Sequence, residues 1–119
     1  MTHFKYKAGD VILILFPFTN LTAVKQRPAI VLSSLQFNQK HGDVIIAAIT
    51  SHLSQRLADD EYLLNDHEQK SAGLPKTSLI KLGKIVTLDQ SLIQKNIGSI
   101  SPSTQKKLLL ILFRIFHIS

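Results

Sequence analysis

Arg27 and Thr50 are the two residues of this sequence whose types and spacing most suggest chemistry. Each stands at one end of a seven-residue apolar run rich in β-branched side chains, residues 27–33 and 44–50, and the polar segment between the runs contains turn-forming residues. If the runs pair along their whole length as an antiparallel hairpin, Arg27 faces Thr50. Directly opposed residues in such a ladder have Cβ atoms roughly 4.5–5.5 Å apart. A guanidinium and a hydroxyl at that spacing can hold one phosphate between them.

A third apolar run, residues 10–16, predicts the strand that precedes this hairpin. Its apolar residues are continuous and do not alternate with polar ones, which predicts a strand covered on both faces. Pairing it with residues 27–33 across a ten-residue loop, 17–26, places Phe16 beside Arg27. The ends of three strands then share one rim of a sheet, and we expect a polar site at that rim.

Length and composition predict one ordered domain, residues 1–119. Hydrophobic residues make up 45% of the chain and charged residues 18%, which is typical of a folded protein. The formal charge of +6 favours an anionic partner, nucleic acid first. The basic residues are scattered, however, so a merely solvating surface is an equally good interpretation of the charge.

The absence of cysteine excludes disulfides and thiolate chemistry and fits a cytoplasmic location. The N-terminal residues contain no apolar segment of the signal-peptide kind. The longest apolar stretch, residues 108–118, is interrupted by Arg114 and His117 and falls short of the ~20 residues that cross a bilayer. We therefore expect a soluble protein without membrane association.

Neither a metal ion nor a cofactor is predicted. The chain has no glycine-rich phosphate-binding loop and no Gly-x-Ser-x-Gly nucleophile motif. Four of its histidines, His3, His41, His67 and His117, lack the spacing expected of metal ligands.

The second half of the sequence predicts short strands and one helix. Strands are expected at residues 61–64, 77–82, 84–88 and 97–100, with Gly83 as a bulge or a sharp bend, a loop at 65–76 and a single helical turn at 92–95. Ser101 and Pro102 are an N-cap and a first-turn proline, and they open a helix that runs to about residue 116.

This C-terminal helix is apolar on nearly every face, and such a helix needs cover all round. One small sheet can cover only one side of it. We therefore expect a second copy of the chain to cover part of the rest, making a homodimer. The alternative is a different partner on the outer face.

These segments in their order resemble the MazF/PemK family of toxins from bacterial toxin–antitoxin pairs. The resemblance covers nearly the whole chain and is carried by residues 9–11, 16–21, 25–33, 43–51, 73–78 and 84–89 and by the closing helix. It implies a mainly β fold with a C-terminal helix: an SH3-like small barrel of the CcdB/PemK type with an antiparallel sheet.

The resemblance also implies a function. Members of the family are dimeric, metal-independent endoribonucleases that cut single-stranded RNA at short sequences and are silenced by a cognate antitoxin protein. Their catalytic pair matches Arg27 and Thr50. The chain departs from many members at residues 22–26, where an acidic or glycine-rich run is replaced by Thr-Ala-Val-Lys-Gln. A carboxylate that helps the chemistry in some relatives is therefore missing from this loop.

RNA can be cut without a metal ion when its own 2′-OH attacks the adjacent phosphorus. Such a site needs a cation on the phosphoryl oxygens, for which Arg27 is suited, and hydrogen-bond donors, for which Thr50 and Ser51 are suited. The alternatives are a strand-end ion pair of Arg27 with Asp10 or another carboxylate and an ordinary β-branched role for Thr50.

Further residues are predicted to bind the RNA from the loops around this pair. They are Thr19, Asn20, Lys25, Gln26, Ser51, His52 and Lys76. His52 is equally interpretable as a solvated loop histidine, and Phe18 as a base-stacking or a core residue. Lys81 and Lys84 are expected on a solvated face.

Two other functions remain compatible with the sequence. Relatives with the same fold bind and inhibit DNA gyrase without cutting RNA, although such a binder has no need of Arg27 opposite Thr50. An inactive member could also serve only as an interaction module.

Overall fold

A computed structural model describes residues 5–17, 24–53 and 55–117 of the chain. Its centre is a six-stranded antiparallel sheet with the strand order β4-β5-β3-β2-β1-β6. The strands are β1 (Asp10–Pro17), β2 (Val24–Val31), β3 (Asp43–Thr50), β4 (Glu61–Leu63), β5 (Leu79–Asp89) and β6 (Ile93–Ser99). The helices are α1 (Leu35–His41), α2 (Asp66–Ser71) and α3 (Pro102–Phe116). No helix in the described ranges is long and apolar enough to cross a membrane.

The continuous apolar sequence of β1 does reflect cover on both faces of the sheet. Val11 and Ile12 are neighbours on the strand and point to opposite faces, yet both are fully buried. Val11 belongs to a hydrophobic cluster that α3 closes with Leu108 and Ile111. Ile12 belongs to a second cluster on the other face, against which Tyr6 packs. The sheet therefore separates two cores.

Helix α3 has the bounds that its capping sequence predicts. The Ser101 side chain accepts a hydrogen bond from the Thr104 backbone N–H, and Pro102 occupies the first turn. Only one stripe of the helix is buried. Its outer face leaves four large apolar side chains exposed: Leu109, Leu110, Phe113 and Phe116. Ile115 continues the buried stripe near the end of the helix and is 38% exposed.

Two short helices replace segments that the sequence analysis assigned to loops. Helix α1 begins after Ser34, whose side chain accepts from the Phe37 N–H, and ends at Gly42 in the left-handed conformation (φ 70°). Helix α2 begins with a capping box, in which Asn65 and Glu68 each accept from the other's backbone N–H. These caps satisfy the backbone donors that such short helices leave open.

Strand β5 is one strand where two strand pieces were expected, and Gly83 lies in a bulge. Its register against β3 shifts between the pairs Ala47↔Ile85 and Ala48↔Lys81, so residues 82–84 have no partners on β3. The predicted helical turn at 92–95 is wrong. A 3-10 helix lies at Gln90–Leu92 instead, and β6 begins directly after it.

The register predicted for the central hairpin is confirmed. Strands β2 and β3 pair through Ala29↔Ala48 and Ile30↔Ala47, in the same register that sets residue 27 opposite residue 50. The predicted neighbour of Arg27 on β1 is wrong by two residues, since Arg27 pairs with Ile14 and Phe16 pairs with Lys25. The strand β2 begins three residues earlier than expected, which shortens the loop after β1. Lys25 is therefore a strand residue.

Candidate active site

Arg27 and Thr50 lie at one rim of the sheet, between two cavities. Both residues line both cavities, one of about 290 Å³ and the other of about 470 Å³. The smaller cavity contains Ile49 and Leu74 of the core that α3 covers, and the larger contains Ile46 of the other core. Arg27 is exposed and Thr50 is partly exposed. The pair therefore sits where a ligand can reach it from either face.

Pro28 explains why the ladder between β2 and β3 stops short of this pair. The Leu32 N–H donates to the Ile45 carbonyl of β3, and donor directions alternate along a strand, so Pro28 faces β3 as well. Proline has no N–H and cannot continue the ladder. The residue pairs between β2 and β3 accordingly end at Ala29↔Ala48. Beyond them, Arg27 is held by its pairing with β1, and Thr50 by its pairing with Leu79 of β5.

The hydroxyl of Thr50 is oriented by the backbone just after β3. Its Oγ1 accepts a hydrogen bond from the His52 N–H at 3.0 Å. Because one lone pair of the oxygen is occupied in this way, the hydroxyl hydrogen is directed elsewhere and can be donated to a bound group. Thr50 is thus prepared as a donor at the rim.

Asp10, the alternative partner considered for Arg27, is engaged at the other end of β1. Its carboxylate accepts from the Lys7 backbone N–H at 3.0 Å and forms a salt bridge with Lys7 Nζ at 3.2 Å.

The smaller cavity combines hydroxyl groups with an apolar wall. Ser51 and Ser78 contribute the hydroxyls, and Lys76 contributes a positive charge. Apart from Arg27 and Thr50, the rest of its wall is apolar and comes from β1, β2, β3, β6 and the turn after α2: Leu13, Pro28, Ile49, Leu74, Pro75 and Ile97.

A close backbone approach fixes the turn that carries this part of the wall. Gly73 has φ +72°, and a Cβ at this position would lie 1.9 Å from the Ile97 carbonyl oxygen. Only glycine fits such a position without strain. The turn that delivers Leu74 and Lys76 to the cavity is therefore fixed against β6.

The larger cavity is strongly cationic and has an aliphatic floor. Arg27, Lys81 and Lys84 supply three positive side chains, with His52 beside them. The floor is made by five apolar residues: Pro28, Ile46, Ala48, Ile49 and Val86. In the part of the chain that the structure describes, neither cavity is lined by a carboxylate.

Three of the predicted RNA-binding residues lie at these cavities. Ser51 and Lys76 line the smaller one, and His52 lines the larger one. Lys25 and Gln26 are exposed on β2 and not in a loop, and the described lining of the two cavities does not include them.

Three further predictions, for Thr19, Asn20 and Phe18, fall outside the described residues. Within those described, no cluster of three or more His, Asp or Glu side chains is placed to hold a metal ion.

Lys81 and Lys84 were expected on a solvated face, and Lys84 is exposed while Lys81 is partly buried. In a regular strand, residues three apart point to opposite faces. The bulge at residues 82–84 changes the alternation, and both lysines line the larger cavity. Gly83 between them was the only sequence signal of that bulge.

A buried carboxylate ties helix α2 to α3. Glu68 Oε2 accepts hydrogen bonds from the Tyr62 hydroxyl at 2.6 Å and from the Thr104 hydroxyl at 2.7 Å. Glu68 Oε1 accepts from the Asn65 N–H at 2.9 Å. Burial alone would raise the pKa of Glu68, but these hydrogen bonds and the charge of Lys107 outweigh it, and the pKa is lowered.

With this geometry in place, comparison with known proteins assigns the family. Residues 7–116 match the profile of the PemK-like, MazF-like toxins of type II toxin–antitoxin systems. The chain belongs to this family. No curated protein sequence matches it.

Solved structures of other PemK/MazF toxins share this fold. A MazE–MazF complex from Deinococcus radiodurans matches with a TM-score of 0.77 at 17% identity, over 96% of this chain and 98% of that one. An endoribonuclease from a mycobacterial species, solved with its cognate antitoxin, matches with a TM-score of 0.73 at 17% identity, over 92% of both chains. The Mycobacterium tuberculosis toxin MazF-mt6 matches with a TM-score of 0.72 at 18% identity, over 92% of this chain and 98% of that one.

These likenesses confirm the predicted fold class for this PemK/MazF toxin. It is mainly β, with an antiparallel sheet of the SH3-like, CcdB/PemK type and a C-terminal helix.

Proposed function

We propose that this toxin is an endoribonuclease that cuts single-stranded RNA without a metal ion, with Arg27 and Thr50 as its catalytic pair. The observation that carries the proposal is the position of these two residues, which line two adjoining cavities at an accessible rim. Family membership and the endoribonucleases among the similar structures support it. The positive charge around the pair favours a polyanionic substrate.

The chemistry that suits this site is attack by the RNA's own 2′-oxygen. The 2′-oxygen bonds to the adjacent phosphorus as it loses its proton, and the bond from phosphorus to the 5′-oxygen breaks as that oxygen gains one. The products are a 2′,3′-cyclic phosphate and a 5′-hydroxyl. Arg27 offers a permanently charged planar fork to the phosphoryl oxygens, and the Thr50 hydroxyl, which accepts from the His52 backbone N–H, offers its hydrogen as a donor.

The surrounding residues hold the RNA in this scheme. Ser51 and Lys76 bind it in the smaller cavity, and His52 in the larger. Lys25 and Gln26, exposed on β2 just before Arg27, bind the chain where it leaves the rim. Thr19 and Asn20 retain the RNA-binding role that the sequence suggests.

Purified protein should cut a long single-stranded RNA in the presence of excess EDTA. Side-chain cations supply the positive charge that a metal ion supplies in other nucleases, so chelation should leave the rate unchanged. The fragments should carry cyclic phosphate and 5′-hydroxyl ends, which end-specific kinase labelling detects. Strict dependence on a divalent ion would contradict the mechanism. Intact RNA together with inhibited DNA gyrase would favour the gyrase-binding alternative.

The proposal includes two protein partners in the cytoplasm, a cognate antitoxin and a second copy of the chain. Antitoxin complexes of similar structures support the first. The outer face of α3 supports the second, because Leu110, Phe113 and Phe116 are 61%, 65% and 69% exposed. Contiguous apolar side chains of this size mark interaction surfaces on soluble proteins.

Leu110→Asp should convert the dimer to a monomer, since a charge buried in an apolar interface is strongly unfavourable. Sedimentation equilibrium would measure the change. Gln39→Asp, at an exposed position on α1, introduces the same side chain away from α3 and should leave the dimer intact. A wild-type protein that is monomeric at all concentrations would contradict the dimer.

A further inference from the structure

The larger cavity has a β5 wall that the proposed cleavage chemistry does not use. Lys81, Lys84 and Val86 of β5 line this side of the cavity, beside Ile46 and Ala48 of the neighbouring strand β3. The paired positions Ala48↔Lys81 and Ile46↔Val86 bracket the bulge at residues 82–84. The bulge thus delivers two cations, three residues apart in sequence, to one side of an aliphatic floor.

An RNA chain whose scissile phosphate lies between Arg27 and Thr50 must continue in both directions from that point. The two cavities share these residues, so each is the space open to one direction of the chain. At about 470 Å³, the larger cavity falls in the range of small-ligand sites, roughly 300–1,000 Å³.

We infer that the larger cavity is a binding subsite for the nucleotide next to the scissile phosphate, with Lys84 and Lys81 holding the following phosphate. This inference rests on the proposed ribonuclease function. The base lies against the aliphatic floor, since a flat ring has apolar faces, and the lysines neutralise the backbone. Because contact with the floor and with phosphate does not read base edges, the subsite holds RNA of any sequence.

The two lysines differ in their surroundings, which predicts unequal contributions. Lys81 Nζ lies 3.5 Å from Glu61 Oε2, and the other oxygen of that carboxylate accepts from the Ala58 N–H. Glu61 therefore holds Lys81 at the cavity and offsets part of its charge. Lys84 is exposed and forms no salt bridge with the residues described. Lys84 is thus the stronger phosphate ligand.

The test compares Lys84→Gln and Lys81→Gln with Lys40→Gln. Lys40 is exposed on α1, three residues before the start of β3, and β3 is roughly 23 Å long from that start to Thr50. The probe is a fluorescein-labelled, fully 2′-O-methylated RNA of randomised sequence, which cannot be cut by 2′-oxygen attack. Fluorescence anisotropy at several salt concentrations gives Kd and its salt slope.

Lys84→Gln should weaken binding about five-fold or more and reduce the salt slope by about 0.7, the value for one phosphate contact on a single strand. Lys81→Gln should do the same to a smaller extent, and Lys40→Gln should bind like wild type. On cleavable RNA, Lys84→Gln should raise KM and leave kcat within about two-fold, because the lysine acts in binding.

Three outcomes would overturn the subsite. Unchanged Kd and slope in both cavity variants, with RNA still cut by wild type, removes the subsite and leaves the ribonuclease proposal standing. Wild type that neither binds nor cuts RNA removes both. Weakened binding of a labelled hexaglutamate peptide by Lys84→Gln, with RNA binding unchanged, makes the cavity a site for an acidic peptide instead.

Discussion

Arg27→Ala is expected to lower the rate of RNA cleavage by at least about 100-fold. The guanidinium is the charged group at the rim that both cavities share, and loss of one well-placed donor to a developing negative charge typically has an effect of this size. Arg27 is exposed, so its removal leaves both hydrophobic cores intact and the melting temperature nearly unchanged. Initial rates on a fluorescent RNA in EDTA would measure the loss.

Companion variants separate the role of this side chain from a general effect of charge. Arg27→Lys keeps the charge without the planar fork and should retain intermediate activity. Thr50→Val removes only the hydroxyl from a strand position and should lower the rate about ten-fold or more. Lys40→Ala should cut RNA as wild type does. Arg27→Ala protein that cuts at the wild-type rate would remove the proposed centre.

Glu68→Gln is expected to lower the free energy of unfolding by about 3 kcal/mol at pH 7. The carboxylate accepts from two hydroxyls and one backbone N–H, and a neutral amide replaces these charge-assisted hydrogen bonds with weaker ones and removes one acceptor oxygen. Glu68 is buried, so water cannot replace the lost acceptor. Urea unfolding at fixed protein concentration measures the change. Asp66→Asn, exposed in the first turn of the same helix, should alter stability by no more than about 0.5 kcal/mol.

The pH dependence of this difference follows from the lowered pKa of Glu68. A carboxyl group whose pKa is lower in the folded state stabilises the fold above its unfolded pKa of about 4.3. That contribution is lost as the pH falls through the folded value. The difference in the free energy of unfolding between wild type and Glu68→Gln should therefore become smaller below about pH 4. A gap that stays constant down to pH 3 would contradict the role of the charged carboxylate.

Tyr62 makes the stability of the fold depend on pH at alkaline pH as well. Burial, and then the hydrogen bond and the negative charge of Glu68, raise the pKa of Tyr62 to about 12. The hydroxyl therefore stabilises the fold below its ordinary pKa of about 10, and this contribution disappears as the pH rises toward about 12.

The sequence predicted those parts of the fold that are specified by long apolar runs or by helix-capping residues. The continuous apolar residues of β1 predicted cover on both faces, and Val11 and Ile12 are buried in different cores. Ser101 and Pro102 predicted the start of α3. Counting along two runs of equal length predicted the register of β2 and β3, because side chains in a ladder repeat every two residues.

The missed helices are too short for hydrophobic periodicity to reveal them. Helix α1 has seven residues and α2 has six, fewer than the two to three turns over which an apolar stripe becomes recognisable. Their ends were nevertheless visible as Ser34 with Gly42 and as Asn65 with Glu68. Capping residues were thus the better signal at this length.

Three of the residues predicted around the candidate site lie at its cavities, namely Ser51, His52 and Lys76. Ser51 and His52 follow Thr50 directly and lie at the cavities. Lys81 and Lys84 depend on how the bulge shifts β5 against β3, which is decided by packing and not by local sequence. Arg27 pairs with Ile14 and not with Phe16 as predicted, because β2 begins at Val24 and not at Arg27.

Pro28 has a mechanical consequence for the catalytic pair. Arg27 is paired with β1 and Thr50 is paired with β5, because Pro28 ends the ladder between β2 and β3 before it reaches them. The separation of guanidinium and hydroxyl can therefore adjust without disturbing the ladder between β2 and β3, which ends at Ala29↔Ala48. A phosphorus atom that passes from four to five oxygen neighbours changes its geometry. A guanidinium and a hydroxyl that are held by different strands can follow that change.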